Sequence, residues 1–478
     1  MNRMDPHELY SSPLVSRNAT HEMCVLFGQR QRVLTWRRLW LALAQQQRRL
    51  GVPISAKQIA QLKATLEKID FRSAQKHEAR LRHDVMAHLH AWGEAAPLAK
   101  PILHLGATSA DIVDNADLII MREALEQTAV WLANVIDALG WFAHNHRSMP
   151  TLGLTHYQPA QLTTVGKRAA MWCSEFVNDL AEVEHRIRTM RFRGFKGATG
   201  TQASFMDLLG DRRKVLALER SVASEFGFTQ IEPVTGQTYT RKVDAQVVST
   251  LAQIAASVHK LANDIRLLSG RREIEEPFES EQVGSSSMPY KRNPMRCERA
   301  TGLARLVISL VTSPLQTAAE QWFERTLDDS SNKRITIPEA FLAIDGMLKL
   351  VTNVARGLVV HPKVIEANVR AELPQMATEA ILMAGVVAGG DRQKLHERIR
   401  RHARAASQRV TDEGAASDLL ERLQADEAFA EVDFEDVTDP RRFTGLAIQQ
   451  TLAFVREYVE PIRRRYRQQL RRDAELTV

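Results

Sequence analysis

Apolar residues recur along this chain at helical spacing over long stretches. Val247, Leu251, Ile254, Val258, Leu261, Ile265 and Leu268 alternate four and three apart, which draws one seam along a long helix, and Asp244 is placed to cap its start. A second seam runs Leu118, Met121, Leu125, Leu132, Val135, Leu139, Phe142, and a third runs Val165, Ala169, Trp172, Phe176, Leu180, Val183, Ile187, Met190. A fourth, Leu303, Leu306, Leu310, reaches Pro314, where a kink or break is expected. A fifth runs Ile337, Phe341, Ile344, Leu348, Val351, Ala355, Leu358. Each predicts a helix of roughly 25–30 residues, about 40 Å long at 1.5 Å per residue. Runs of alternating polarity separated by hairpin turns are weak throughout. The expected fold is therefore all-α, with an elongated central five-helix bundle. Its seams are wide for one chain to cover, so packing of helices between copies of the chain is expected.

Polar stretches rich in Gly, Ser, Thr and Pro fall between these helices: 104–109, 151–159, 194–204, 235–240 and 270–294. Loops at the ends of rigid helices are natural places for a site. Three domains are expected: 1–111, 112–363 carrying the bundle and the 284–299 loop, and 364–478 with a basic tail. The 478 residues are ample for such a core. Apolar residues at 44% and charged residues at 25% exclude wholesale disorder.

Net charge is +7, and six arginines sit between Ile462 and Arg472. The preferred reading of that tail is a solvated terminal helix. A nucleic-acid or membrane-surface patch is the minority reading, because no nucleic-acid-binding motif accompanies it. Cys24, Cys173 and Cys297 are few, odd in number and far apart, which fits neither a disulfide framework nor a zinc site. Met1 to Pro6 lack the apolar core of a secretion signal, and no apolar run is long enough to span a bilayer. A cytoplasmic protein without a membrane role is expected.

The chemistry concentrates in Gly284 to Arg299, which reads GSSSMPYKRNPMRCER. Gly-Ser-Ser-Ser alone is linker-like. Two prolines flanking Lys291, Arg292 and Asn293 are not. Small residues followed by cations make a loop able to close over a carboxylate or phosphate.

The pattern Gly-Ser-Ser-x-Met-Pro-x-Lys-x-Asn-Pro resembles the signature of the fumarase/aspartase superfamily, whose members release fumarate by β-elimination. Thr155-His156-Tyr157-Gln158-Pro159-Ala160-Gln161 resembles the histidine loop of its adenylosuccinate lyase family. The segments 105–109, 196–201, 235–239 and 322–330 resemble that family too, with Tyr290 as in its animal-type members. The resemblance implies elimination of fumarate from adenylosuccinate, giving AMP, and from the succinylated aminoimidazole carboxamide ribotide. It implies a homotetramer with sites shared between subunits, and no metal or cofactor.

Such an elimination removes a weakly acidic proton beside a carboxylate, stabilises the carbanion and protonates the leaving nitrogen. The resemblance makes Ser285 the base and His156 the general acid. Whether Ser285 or its neighbour Ser286 takes the proton is decided by the resemblance alone. It further implies substrate contacts from Arg17, Asn18, Arg82, His83, Asp84, Thr108, Ser109, Thr155, Gln237, Lys291, Asn293, Arg299, Arg325, Ser330 and Arg334. Asn18 stands where close relatives carry Tyr. His83, His88 and His90 lie near one another, but no carboxylate–histidine pattern of a known metal class appears. The rival readings are another fumarate-releasing lyase, such as an argininosuccinate lyase, and a non-catalytic helical scaffold or nucleic-acid binder.

Overall fold

A computed structural model describes residues 9–476. The secretion-signal reading of Met1 to Pro6 therefore lies outside the described residues. The principal helices are α1 (Gln29–Arg49), α2 (Phe71–Leu81), α3 (Asp84–Ala95), α4 (Ser109–Asn145), α5 (Val165–Thr189), α6 (Lys242–Gly270), α7 (Met295–Leu310), α8 (Thr312–Ala319), α9 (Asp329–Gly357), α10 (Pro362–Val387) and α11 (Arg392–Glu413). The fold is mostly helical, and α4 to α9 form the bundle that the five seams predict. The α6 seam is buried from Val247 to Leu268, and the α9 seam from Ile337 to Ala355. The fourth helix breaks at Val311, and Pro314 fits into the first turn of α8, where a missing N–H costs nothing.

Four expectations change. Asp244 does not cap α6. It lies in the first turn, fully buried, and accepts a hydrogen bond from the Tyr239 hydroxyl at 2.6 Å. The Leu303–Leu306–Leu310 seam is not the buried face of its helix: Ala300, Ala304 and Val307 face the core, while Leu306 is 39% exposed. The 151–159 loop is a β-hairpin, β1 (Pro150–Thr155) against β2 (Gln158–Thr164). Of the arginine tail, only Glu460–Arg465 is regular α-helix, and the tail is docked on one side instead of solvated all round. Arg463 bonds Asp137 at 2.6 Å, Tyr466 and Arg465 meet Glu184, and the Arg472 guanidinium covers the Trp131 ring. Ile462 and Ala474 are buried in the main core. Arg463, Arg465 and Arg472 are thus spent on the bundle's own acidic and aromatic groups, while Arg464, Arg467 and Arg471 are exposed.

A second pair, β3 (Ile274–Glu275) with β4 (Val359–Val360), ties the end of α6 to the end of α9. The main core joins the N-terminal helices to the bundle, whereas α10 and α11 build a separate core around Ile381, Leu395, Ile399, Leu419 and Phe429.

One end of the bundle is fixed by buried charge. Arg241, at the start of α6, bonds Asp329 of α9 at 2.6 Å and Asp114 of α4 at 3.1 Å. Lys333 of α9 meets Asp117 of α4 at 2.7 Å. Arg241 and Lys333 both lie against the Tyr239 ring. Isolated charges would be strongly disfavoured here, so the pairs must form together. Arg241→Met should lower unfolding free energy by about 3–5 kcal/mol, because it strands Asp114 and Asp329 in the core. Urea unfolding measures this, and a loss below about 1 kcal/mol would contradict the assignment.

Asp179 of α5 is the reverse case. It is buried, its Oδ2 has no hydrogen-bond partner among the described residues, and burial pushes its carboxyl up to about 7, with Glu175 adding to the rise and a hydrogen bond to Ser257 opposing it. A raised folded pKa favours folding at low pH, and that contribution is lost as pH rises through about 7. Asp179→Asn, neutral at every pH, should gain stability over the parent by about 2–3 kcal/mol between pH 5 and pH 8 and then level off. Paired denaturation curves at the two pH values check it, and a pH-independent difference would refute it.

Candidate active site

The loops at the charged end of the bundle are held by backbone-directed hydrogen bonds. Thr108 caps α4, and Asp111 returns a carboxylate to the Thr108 N–H at 2.8 Å. The other Asp111 oxygen accepts from the Lys196 and Gly197 amides and pairs with Arg193. Arg193 also donates to the Gln237 carbonyl at 2.5 Å. The Gln237 side chain then joins two further loops, donating to the Ala198 carbonyl at 2.9 Å and accepting from Arg325 at 2.7 Å.

Against this frame stands a cavity of about 120 Å³, lined among others by His83, Asp84, Ser109, Arg325, Ser330 and Arg334. Six of the residues singled out from the sequence, drawn from three segments of the chain, meet here. His83 precedes α3, and its Nε2 lies 3.1 Å from the Ser109 hydroxyl. Asp84 opens α3, accepts from its own Val85 amide, and pairs with Arg334 at 2.9 Å. Burial pushes the Asp84 carboxyl up, but Arg334 and the Val85 amide outweigh it and hold the group below the ordinary carboxylate range. Arg82 terminates α2 in the left-handed conformation, φ 53°, which turns the chain into His83 and Asp84. The same cavity holds Arg32 and Lys333, which the sequence reading missed. Arg32 Nε and Arg325 Nε are buried with no hydrogen-bond partner among the described residues. Two unspent cationic donors in one cavity suit an anionic ligand. His88, by contrast, is a core histidine, edge-on to Trp36 and Phe71, and burial lowers it to about 4.

The other singled-out residues lie in three separate places. Thr155 and His156 are at the tip of the β1–β2 hairpin. Thr155 pairs with Gln158, leaving His156 and Tyr157 as a two-residue turn with φ of 52° and 60°. Left-handed backbone at two non-glycine residues costs about 1 kcal/mol each. The turn presents an exposed imidazole at the end of a short two-stranded arm.

Ser285, Lys291 and Asn293 lie in the signature loop. The Ser285 hydroxyl accepts from the Met288 amide at 3.2 Å, and the Asn293 amide donates to the Gly284 carbonyl at 2.8 Å, closing the loop's base. A Cβ on Gly284 would stand 2.2 Å from the Lys291 carbonyl oxygen, so only glycine fits there. Lys291 is exposed, and Arg292 covers the Phe278 ring.

Arg17, Asn18 and Arg299 line a second cavity, between the N-terminal segment, α7 and α9. Asn18 donates to the Pro13 carbonyl at 2.8 Å, which spends its amide on the local turn. Among the described residues, no hydrogen bond or ion pair links His156 or Ser285 to the Asp84–Arg334 cavity.

Comparison with known proteins agrees with this architecture. The family described as "Lyase" matches residues 53–309, and "Adenylosuccinate lyase C-terminus" matches residues 374–454. The adenylosuccinate lyase of Schizosaccharomyces pombe is 49% identical, over 95% of this chain and 96% of that one. That of Schistosoma mansoni is 45% identical, over 99% of this chain and all of its own length. The solved 3-carboxy-cis,cis-muconate lactonizing enzyme of Pseudomonas putida shares the fold, with a TM-score of 0.80 at 23% identity, over 95% of this chain and 99% of that one. With two family matches and close full-length relatives in distant eukaryotes, the chain belongs to the adenylosuccinate lyase family.

Proposed function

We propose that the protein eliminates fumarate from adenylosuccinate to give AMP, and carries out the same elimination on the succinylated aminoimidazole carboxamide ribotide. The observation that most supports this is the 49% identity to a named adenylosuccinate lyase over 95% of the chain. In this reading the Asp84–Arg334 cavity and the Arg17–Arg299 cavity hold polar and anionic parts of the nucleotide. Thr108 and Ser109 sit at the start of α4, whose positive end favours negative charge. His156 gives a proton to the departing nitrogen. Ser285 takes the proton next to the carboxylate once the signature loop closes, with Lys291 and loop amides stabilising the charge that develops.

These groups lie on separate parts of one chain, so we further propose that copies assemble, as a tetramer, to bring them together. Apolar side chains left exposed on the bundle helices support assembly: Met171, Leu267, Leu306, Ile308 and Leu315 are 39–54% exposed. The three cysteines are unpaired, which accords with a reducing cytoplasm, and among the described residues no helix is long and apolar enough to cross a membrane.

The direct test is fumarate release by purified protein. Adenylosuccinate should be consumed and argininosuccinate should not; the opposite preference would sink the proposal. His156→Ala and Ser285→Ala should each reduce turnover by about 10²-fold or more, the usual weight of a general acid or base, while circular dichroism and mass remain those of the parent. Near-normal turnover in Ser285→Ala would remove that serine as the base.

A further inference from the structure

The cavity shared by Arg17 and Arg299 is completed by two further features. Lys349, on α9, contributes a third cation to its lining, and Leu476, from the C-terminal segment, forms part of its wall. The cavity is small, about 60 Å³, and its remaining wall is the turn 15–19 with Gly346 and Leu350 of α9. It is built to close tolerance. A Cβ on Gly346 would lie 2.9 Å from Asn18, so a glycine lets the N-terminal turn settle onto α9. The next residue of that segment is pinned, the Thr20 amide donating to Asp345 at 2.6 Å, and Asp345 also accepts from Trp131. Close approach of Arg17 raises the cost of charge on Arg299, whose pKa burial already lowers.

The C-terminal segment reaches this wall by a chain of anchors. The Arg472 guanidinium lies 4.6 Å from the Trp131 ring centre, its amide donates to Asn134 at 3.0 Å, and its carbonyl accepts from Arg356 at 2.7 Å. Two residues on, Ala474 is buried and its carbonyl accepts from Asn353 of α9 at 3.2 Å. Asn353 lies one helical turn from Lys349, so the same face of α9 holds the tail and presents the lysine. Arg17 disfavours charge on Arg299 more than Glu276 favours it, and an anion with several oxygens meeting Arg17, Arg299 and Lys349 offsets that cost.

We propose that Lys349 and the segment Arg472–Leu476 complete an anion seat with Arg17 and Arg299, in which Lys349 is a further binding residue and the tail a positioning element. The seat takes a group with clustered anionic oxygens, and three cations match a phosphate monoester better than a single carboxylate. In the proposed reaction, on which this assignment of the ligand rests, that group is the nucleotide phosphate.

The test uses inorganic orthophosphate, with succinate as the carboxylate arm, against the full-length protein and its variants. Orthophosphate should raise the melting temperature of the parent and inhibit competitively. Lys349→Met should weaken orthophosphate binding about tenfold and raise KM more than it lowers kcat, and Lys349→Arg should retain most binding. Leu476→Asp sets a carboxylate at the wall and should also weaken orthophosphate binding, whereas the neutral Leu476→Asn should not. Unchanged orthophosphate affinity in both Lys349→Met and Leu476→Asp overturns the proposal. Loss of succinate binding in those variants with orthophosphate binding intact overturns the phosphate assignment. A parent that binds orthophosphate in this way but releases no fumarate leaves the seat standing and removes the proposed reaction instead.

Discussion

The buried ion cluster around Arg241 is the constraint on which the rest depends. Asp114 and Asp117 of α4, Arg241 at the start of α6, and Asp329 and Lys333 of α9 lock three helix ends together, with Arg241, Asp114 and Asp329 buried and Lys333 and Asp117 at the edge of the cavity. Buried pairs of this kind add little net stability over a well-packed apolar core, but they tolerate few alternative arrangements. The helices therefore meet in one register. Lys333 points into the cluster while its neighbour Arg334 reaches Asp84 across the cavity. Arg325 and Gln237 are fixed to each other just beyond. The cavity inherits its shape from the cluster.

The proposed catalytic pair is held differently. His156 stands on a two-residue turn strained at both positions, and Ser285 lies in a loop whose base is closed by Asn293 and Gly284. In the proposed reaction the cavity, the hairpin and the signature loop divide the work: the first would bind, the second would deliver a proton, and the third would exclude water on covering the substrate. On that proposal none of the three is complete alone, which is why the proposed assembly bears on function and not only on the stability of the bundle.

Much of this was legible in the sequence, because helical periodicity is a strong signal over long seams and the signature loop is a long pattern. The misreadings have physical causes. Asp is as good a helix cap as a buried acceptor, and only the position of Tyr239 decides which role Asp244 takes. The β-hairpin has no Gly or Asn at its turn, so His156-Tyr157 gave no turn signal. The tail's arginines look solvated because Asp137, the partner of Arg463, is 326 residues away in sequence. Leu306 has the right spacing for a core seam but lies on the outer face of α7. Arg32, Lys333 and Lys349 were missed for a related reason: each is a single cation on a helix, with no motif around it, and only the fold brings it to a cavity.

The central claim is that one chain carries the parts of a site which only an assembly puts together. Mixing inactive Ser285→Ala and His156→Ala proteins under conditions that exchange subunits tests it most directly. The account predicts that fumarate release reappears, because mixed assemblies contain sites with an intact serine from one copy and an intact histidine from another. A mixture that exchanges subunits fully yet stays as inactive as its components would contradict it.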